Sequence, residues 1–196
     1  SRRHHCSWRE YALDREGIPV GFCKPISQPH ATDTGPERST RLARIVSRLS
    51  PPEPISVTEA ENLLGHGREN VLLEEVIARY EQAAHHVSVV IVEGLMDTEE
   101  QPYGTHLNAK MAQSLDAKIV IVTAPGRDTP RQVADTVEVV ARAYGGVRHE
   151  RMIGCIINLM DAPVDQTGNI RFDFSRAENG YHPGHEAEFR AECARH

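Results

Sequence analysis

Polar side chains that could bind a ligand follow the ends of two short apolar runs in the chain. Lys24 comes directly after one run, and Glu93 comes directly after another. A lysine stiffened by Pro25 can present one cation to an anionic ligand. A carboxylate at a strand end can bind Mg²⁺ directly or through water, and Gly94 beside it leaves room for a ligand. The structural alternatives are a solvated surface lysine and a glutamate that only caps a neighbouring element.

Three further residues complete the candidate set for a phosphate or nucleotide. Asp33 and Thr34 lie in a polar loop, where Asp33 could share Mg²⁺ with Glu93 or act only as a turn or helix-cap residue. Asn158 follows a later apolar run, where it could hydrogen-bond a purine base or only satisfy backbone groups at a strand end. The sequence therefore predicts Lys24, Asp33, Thr34, Glu93, Gly94 and Asn158 as binding residues, with Glu93 and Asp33 as the Mg²⁺ ligands.

The four cysteines and eleven histidines of the chain do not form a metal-binding pattern. Cysteine spacing fits neither a disulfide framework nor a CxxC metal site. Cys23 and Cys155 lie inside apolar runs, so we expect both to be buried and to act as small hydrophobic residues. The histidines are dispersed, and the short clusters 4–6 and 182–185 lie in end segments without a complete ligand set.

The elements that must position the candidate residues alternate between strand and helix. Four apolar runs rich in Val and Ile lack polar alternation, which predicts parallel strands covered on both faces. They occupy residues 18–23, 87–92, 117–124 and 152–158. Helix signals fill the intervals, including a Thr58–Glu61 capping box, a cap at Thr105 and a Thr129–Pro130 start. This alternation predicts an α/β fold with a parallel sheet, in which ligands bind at the carboxyl ends of the strands.

Composition sets the broad class of the protein. The 196 residues suit one domain, and 39% hydrophobic with 26% charged residues are typical of a folded globular chain. The formal charge of −6 argues against nonspecific binding to nucleic acid or to anionic membranes. No apolar run reaches the roughly 20 residues of a membrane helix, and residues 1–10 do not resemble a secretory signal. We therefore expect a cytoplasmic protein.

Several motifs together resemble one family. The segments KPISQP (24–29), DTGPERST (33–40), VVIVEGL (89–95), the run 107–130 and GCIINLMDAPVDQTGNIR (154–171) stand in the order and with the spacing found in long phosphate acetyltransferases. The resemblance is to their amino-terminal domain, a P-loop-like fold related to dethiobiotin synthetase, and it spans about residues 12–174. Residues 1–11 and 175–196 are an unmatched leader and tail. KPISQP and the segment 161–171 separate this family from true dethiobiotin synthetases, which carry a VEGAGG-like stretch where this chain has VEGLMD.

The resemblance implies a function for the whole enzyme and a different one for this part of it. The family interconverts acetyl-CoA and phosphate with acetyl phosphate and CoA, and its catalytic domain lies at the far carboxyl end. For the amino-terminal domain, the resemblance implies a regulatory and oligomer-stabilising role, with a metabolite or a Mg-nucleotide as a possible effector. On this basis the chain is expected to be an inactive fragment in which no residue takes part in acetyl transfer. The full-length parent enzyme is expected to be a homo-oligomer.

The chain departs from the family pattern in ways that affect the candidate site. The family carries a strand and a glycine-rich loop before the segment ALDREG, whereas this chain has no glycine before Gly17. Backbone N–H groups of that loop supply most of a phosphate cradle, so we expect weak or no Mg-ATP binding. A frame shift or a truncated gene would explain the leader 1–11. Leu159 also stands where relatives often have lysine, which weakens base binding at Asn158.

Two other functional classes remain open at this stage. One is a free-standing ATP-dependent ligase of the dethiobiotin synthetase type, which the missing glycine loop and VEGLMD disfavour. The other is an interaction module that binds no ligand and helps subunits to assemble. Nucleotide titration separates the first from the fragment hypothesis, and sedimentation with a catalytic domain tests the second.

Overall fold

The computed structural model describes residues 16–28, 37–47, 49–96, 98, 101–159 and 191. Within this part of the chain, four strands alternate with five helices, which confirms the expected P-loop-like α/β fold. The strands are β1 (Val20–Cys23), β2 (Val89–Val92), β3 (Ile119–Thr123) and β4 (Met152–Ile157). The helices are α1 (Arg38–Val46), α2 (Val57–Gly65), α3 (Glu69–Ala83), α4 (Gly104–Ser114) and α5 (Pro130–Arg142). No helix in these described residues is long and apolar enough to cross a membrane.

The chain divides into two compact units between Ala117 and Lys118. In the first unit β1 and β2 pair in parallel, with Val20 opposite Val89 and Cys23 opposite Val92. In the second unit β3 and β4 pair in parallel, with Thr123 opposite Ile157. The predicted parallel pairing is therefore present, as one two-stranded sheet in each unit.

The first unit packs around β1, which is buried along its whole length. At Gly21 a Cβ atom would lie 2.2 Å from the carbonyl oxygen of Ala83, so β1 approaches the end of α3 too closely for any side chain. After β1 the chain makes a further parallel bridge between Ile26 and Ile55. The core beside it contains nine buried residues, Ile26, Ile55, Ala60, Leu63, Leu72, Val76, Leu95, Leu107 and Met111.

Two of the expected helix caps lie elsewhere in the structure. Ser56 rather than Thr58 caps α2, because its side chain accepts a hydrogen bond from the backbone N–H of Glu59. Helix α4 begins at Gly104, so Thr105 lies inside the helix and not at its cap. Helix α5 starts at Thr129–Pro130 as expected, and a capping box between Thr129 and Gln132, which was not predicted, fixes this start.

The second unit shows that the expected burial of all four strands on both faces was wrong. Helix α5 packs against β3 and buries its own Val133 and Ala141. Residues of β4 remain exposed, including Ile153 at 63%, because the described part of this unit supplies one helix to cover two strands. Cys155 is consequently exposed, contrary to expectation, whereas Cys23 is buried as expected.

Candidate functional site

Lys24 and Glu93 lie together at the carboxyl ends of β1 and β2. Because these strands are parallel and Cys23 pairs with Val92, the residues that follow them emerge at the same edge. The backbone N–H of Glu93 continues the ladder by donating to the carbonyl oxygen of Cys23 at 2.9 Å. The Nζ atom of Lys24 is 3.2 Å from Oε1 of Glu93, which makes an ion pair within the chain.

Lys24 is buried, so the alternative of a solvated surface lysine was wrong. Its exposed fraction is 3%, and Nζ also donates a hydrogen bond to the carbonyl oxygen of Gly94 at 2.6 Å. A buried ammonium group is costly unless it is paired and hydrogen-bonded. The Glu93 carboxylate and the Gly94 carbonyl oxygen supply these contacts, so the charge of Lys24 is compensated inside the fold.

Glu93 has a second partner, which the sequence reasoning missed. The Oγ atom of Ser39 donates a hydrogen bond to Oε1 of Glu93 at 2.8 Å, and Ser39 is itself buried. Ser39 lies in the first turn of α1, whose start must therefore meet the ends of the two strands. Helix starts near strand ends are where ligands bind in α/β folds, and this rule was the signal available in the sequence.

The start of α1 is fixed by a glutamate that caps it. Both carboxylate oxygens of Glu37 accept backbone hydrogen bonds, from Ser39 at 3.0 Å and from Thr40 at 2.7 Å. A carboxylate at this position satisfies free N–H groups and interacts favourably with the helix dipole. The cap holds Ser39 where its hydroxyl group reaches Glu93.

Two side-chain amides hold the segment that follows Glu93. Asn108 accepts from the N–H of Leu95 and donates to its carbonyl oxygen, both at 2.8 Å. Gln28 accepts from the N–H of Met96 at 2.8 Å and donates to its carbonyl oxygen at 2.6 Å. Each amide bonds both the N–H and the carbonyl oxygen of one residue, as the backbone of a neighbouring strand would. Sequence reasoning missed both roles, although Gln28 lies in KPISQP and Asn108 lies in the quoted run 107–130.

Gly94 has a packing reason to be glycine. A Cβ atom there would lie 2.8 Å from Oδ1, 3.0 Å from Cγ and 3.2 Å from Nδ2 of Asn108. Contacts under 3.0 Å require a neighbour to move, and Asn108 is held by its two hydrogen bonds to Leu95. Close contact with Asn108 therefore accounts for the glycine without a ligand.

The remaining three candidates lie in other parts of the chain. Asp33 and Thr34 lie outside the described residues. Asn158 belongs to the second unit, where its backbone N–H donates to the carbonyl oxygen of Thr123 at 2.8 Å and extends the β3–β4 ladder. The structure thus brings together Lys24, Glu93 and Gly94 from the predicted set, and adds Ser39.

Two oxygen atoms that could bind Mg²⁺ at this edge already bind the Lys24 ammonium group. Oε1 of Glu93 contacts the Lys24 ammonium group and accepts a hydrogen bond from the Ser39 hydroxyl group. The carbonyl oxygen of Gly94 accepts a hydrogen bond from the same ammonium group. Among the residues that the structure describes, no group of three His, Cys, Asp or Glu side chains could hold a metal ion. A divalent cation between Oε1 of Glu93 and the carbonyl oxygen of Gly94 would have to displace Lys24.

Cys23 offers no nucleophile at this edge. Burial raises the pKa of its thiol from 9.0 to about 12, and the positive charge of Arg79 only partly opposes this. The thiolate is the nucleophilic and metal-binding form of cysteine, and it is absent at neutral pH with such a pKa. The polar contacts of Lys24 and Glu93 therefore remain the chemistry that this edge offers.

Comparisons with known proteins identify the family. A family model described as AAA domain matches residues 11–180. The phosphate acetyltransferase of Haemophilus influenzae is 35% identical over 178 residues, which are 91% of this chain and 25% of that protein. The phosphate acetyltransferase of Pseudomonas putida is 42% identical over 146 residues, which are 74% of this chain and 21% of that protein.

The phosphate acetyltransferase of Pseudomonas aeruginosa is 38% identical over 181 residues, which are 91% of this chain and 26% of that protein. The chain thus spans about a quarter of the length of the curated relatives that it matches. These matches confirm the resemblance stated from the motifs. The chain belongs to the AAA domain family, and within it the chain is a homologue of phosphate acetyltransferases.

Proposed function

We propose that the chain acts as a regulatory and oligomer-stabilising domain of a cytoplasmic phosphate acetyltransferase. The observation that carries this proposal is its 35% identity, over 91% of its own length, to a quarter of a named phosphate acetyltransferase. On this proposal the relatives' remaining three quarters perform the interconversion of acetyl-CoA and phosphate with acetyl phosphate and CoA. This chain then serves acetyl-CoA and acetate metabolism without acting on those substrates itself.

The chemistry of the described residues supports a non-catalytic role. Lys24 and Glu93 neutralise each other at 3.2 Å, and Ser39 donates to the same carboxylate. A serine nucleophile needs an adjacent general base that is free to take its proton, whereas this carboxylate is already paired with an ammonium group. We therefore assign no described residue to acetyl transfer.

The same contacts support one of the two alternative functions more than the other. An ATP-dependent ligase would need its lysine and its acidic residue directed at phosphates and Mg²⁺. Lys24 and Glu93 are instead directed at each other, at 3.2 Å. This observation favours an interaction module over a ligase. We propose in addition that the effector is a metabolite and that the assembled form is a homo-oligomer.

A chimeric enzyme tests the proposal. The aligned quarter of the Haemophilus influenzae phosphate acetyltransferase is replaced by this chain, and a matched control lacks that quarter altogether. Acetyl phosphate formation, sedimentation and the response to candidate metabolites are measured for both proteins and for this chain alone. We expect the chimera to form larger or more stable oligomers than the control, and the chain alone to form no acetyl phosphate.

Two outcomes would contradict the proposal. Acetyl phosphate production by the chain alone would assign catalysis to it. Equal assembly and equal metabolite response in the chimera and the truncated control would remove both proposed roles. Tight Mg-ATP binding by the chain alone, measured by calorimetry, would instead favour the ligase.

A further inference from the structure

Two oxygen atoms contact the Lys24 ammonium group at the ends of β1 and β2, and a third is hydrogen-bonded to one of them. They are Oε1 of Glu93, the carbonyl oxygen of Gly94 and Oγ of Ser39. The first two contact Nζ of Lys24 at 3.2 Å and 2.6 Å, and the third is hydrogen-bonded to the first at 2.8 Å. Carboxylate, carbonyl and hydroxyl oxygens are the ligands that hard divalent cations such as Mg²⁺, Ca²⁺ and Mn²⁺ prefer.

We infer that these oxygen atoms form a cation site which the chain fills with its own Lys24 ammonium group. The lysine enters from β1 and its charge lies where a metal ion bound to Glu93 would lie. The segment that carries the ligands is fixed from outside by Asn108, which holds Leu95 with two hydrogen bonds of 2.8 Å. The site is therefore preformed, and it does not depend on the proposed regulatory function.

Charge and burial explain why the Lys24 ammonium group, and not a metal ion from solution, occupies the site. Lys24 is 3% exposed and Glu93 is 27% exposed at the side chain, so the pair is largely withdrawn from water. A metal ion that displaced Lys24 would leave a buried ammonium group without its partner, which is strongly unfavourable. Wild-type protein should consequently show no divalent-cation binding that depends on Glu93.

Removal of Lys24 should expose the site to added cations. In Lys24→Ala the Glu93 carboxylate loses its counter-ion, while the oxygen atoms of Gly94 and Ser39 remain beside it. We expect this variant to gain one Mn²⁺ site per chain that wild type lacks, so that any Mn²⁺ binding by wild type is at least about tenfold weaker. The added site should be absent from Lys24→Ala/Glu93→Gln, in which the carboxylate is replaced by an amide.

Mn²⁺ titration followed by electron paramagnetic resonance, together with thermal unfolding, measures these changes. The control variant is Lys110→Ala, because Lys110 lies 3.8 Å from Glu69 on an exposed part of the surface. Removal of that lysine should create no site. Propylammonium provides an independent probe, since it should raise the Tm of Lys24→Ala and leave that of the double variant unchanged.

The inference has clear refuting results. Mn²⁺ binding by wild type that disappears in Glu93→Gln would mean that Lys24 does not fill the site. A folded Lys24→Ala variant that gains neither Mn²⁺ nor propylammonium stabilisation would overturn it as well. If Lys24→Ala does not fold, Lys24→Met retains most of the side-chain volume without the charge. Its side chain fills the space of propylammonium, so Mn²⁺ is the probe for this variant: it should gain the Mn²⁺ site and lose it in Lys24→Met/Glu93→Gln, and a folded Lys24→Met that gains no Mn²⁺ would overturn the inference.

Discussion

Replacement of Gly94 by alanine should destabilise the protein only while Asn108 is present. The new Cβ would lie 2.8 Å from Oδ1 of Asn108, and its three nearest neighbours all belong to that side chain. Asn108 can move aside only by giving up its two hydrogen bonds to Leu95. At about 1 kcal/mol for each bond and somewhat more for the buried backbone groups left unpaired, we expect Gly94→Ala to cost about 2–3 kcal/mol.

Asn108→Ala should lose the same two hydrogen bonds and cost a similar amount. In that background the obstacle to a Cβ at Gly94 is gone, and alanine also restricts the unfolded chain more than glycine does. The second substitution should then change stability by no more than about 0.5 kcal/mol. The predicted interaction free energy between the two substitutions is therefore about 2 kcal/mol, well above the error of additivity for independent sites.

Urea denaturation of wild type, both single variants and the double variant measures this cycle. Unfolding should be followed by a probe of the first unit, because the two units can unfold separately. Exchange of the Glu93 amide hydrogen is suitable, since it is bonded to the carbonyl oxygen of Cys23 and not to Asn108. Additive losses in the double variant would refute the reasoning. They would mean that Gly94 is needed for a reason other than its contact with Asn108.

The remaining predictions concern three other buried positions. Lys24→Met should lower the free energy of unfolding by about 3 kcal/mol, and Lys24→Met/Glu93→Gln should lower it by less, because the double variant leaves no uncompensated charge. Equal losses of stability in urea denaturation would contradict this. Gly21→Ala should lower the free energy of unfolding by about 3 kcal/mol or more, since a Cβ would lie 2.2 Å from a backbone oxygen of α3. The control is Gly65→Ala, which should be neutral or stabilising by up to about 1 kcal/mol, because a Cβ there has nothing within 4 Å. Thermal unfolding measures both variants. Cys23 has a pKa raised from 9.0 to about 12, so the folded state retains a proton that the unfolded state loses, and stability should fall as pH rises from 9.0 towards 12. The fall should be shallower in Cys23→Ala, and an unchanged slope would show that the thiol is not its source.

The elements of the fold could be predicted because their signals are local. Runs of Val and Ile between helical patterns place all four strands within two residues of their observed bounds. Burial could not be predicted in this way, because it depends on what covers each strand. Cys23 and Cys155 occupy similar apolar runs, yet the first is buried on β1, which packs against α1 and α3, and the second is exposed on β4.

The candidate site shows the same contrast between positions with a local signal in the sequence and contacts that depend on the fold. Lys24 and Glu93 could be predicted because each directly follows a strand, and parallel pairing brings such positions together. Their contact with each other was not predicted, since it depends on the register that sets Cys23 opposite Val92. Ser39 and Asn108 were missed because their contacts with the end of β2 span 54 and 13 residues of sequence, and no local pattern encodes such distances.

The described residues of KPISQP, one of the motifs that identify the family, bind mainly other parts of the chain itself. In KPISQP, Lys24 binds Gly94, Ser27 accepts from the backbone of Val57 at 3.1 Å, and Gln28 binds Met96. These contacts hold the strand ends, the start of α2 and the segment after β2 in one arrangement. A motif that builds a scaffold can persist in a chain without a ligand, because its loss would cost stability whether or not anything binds. Similarity in these motifs therefore establishes the fold and the ancestry of the chain, whereas ligand binding must be tested at the Lys24–Glu93 pair itself.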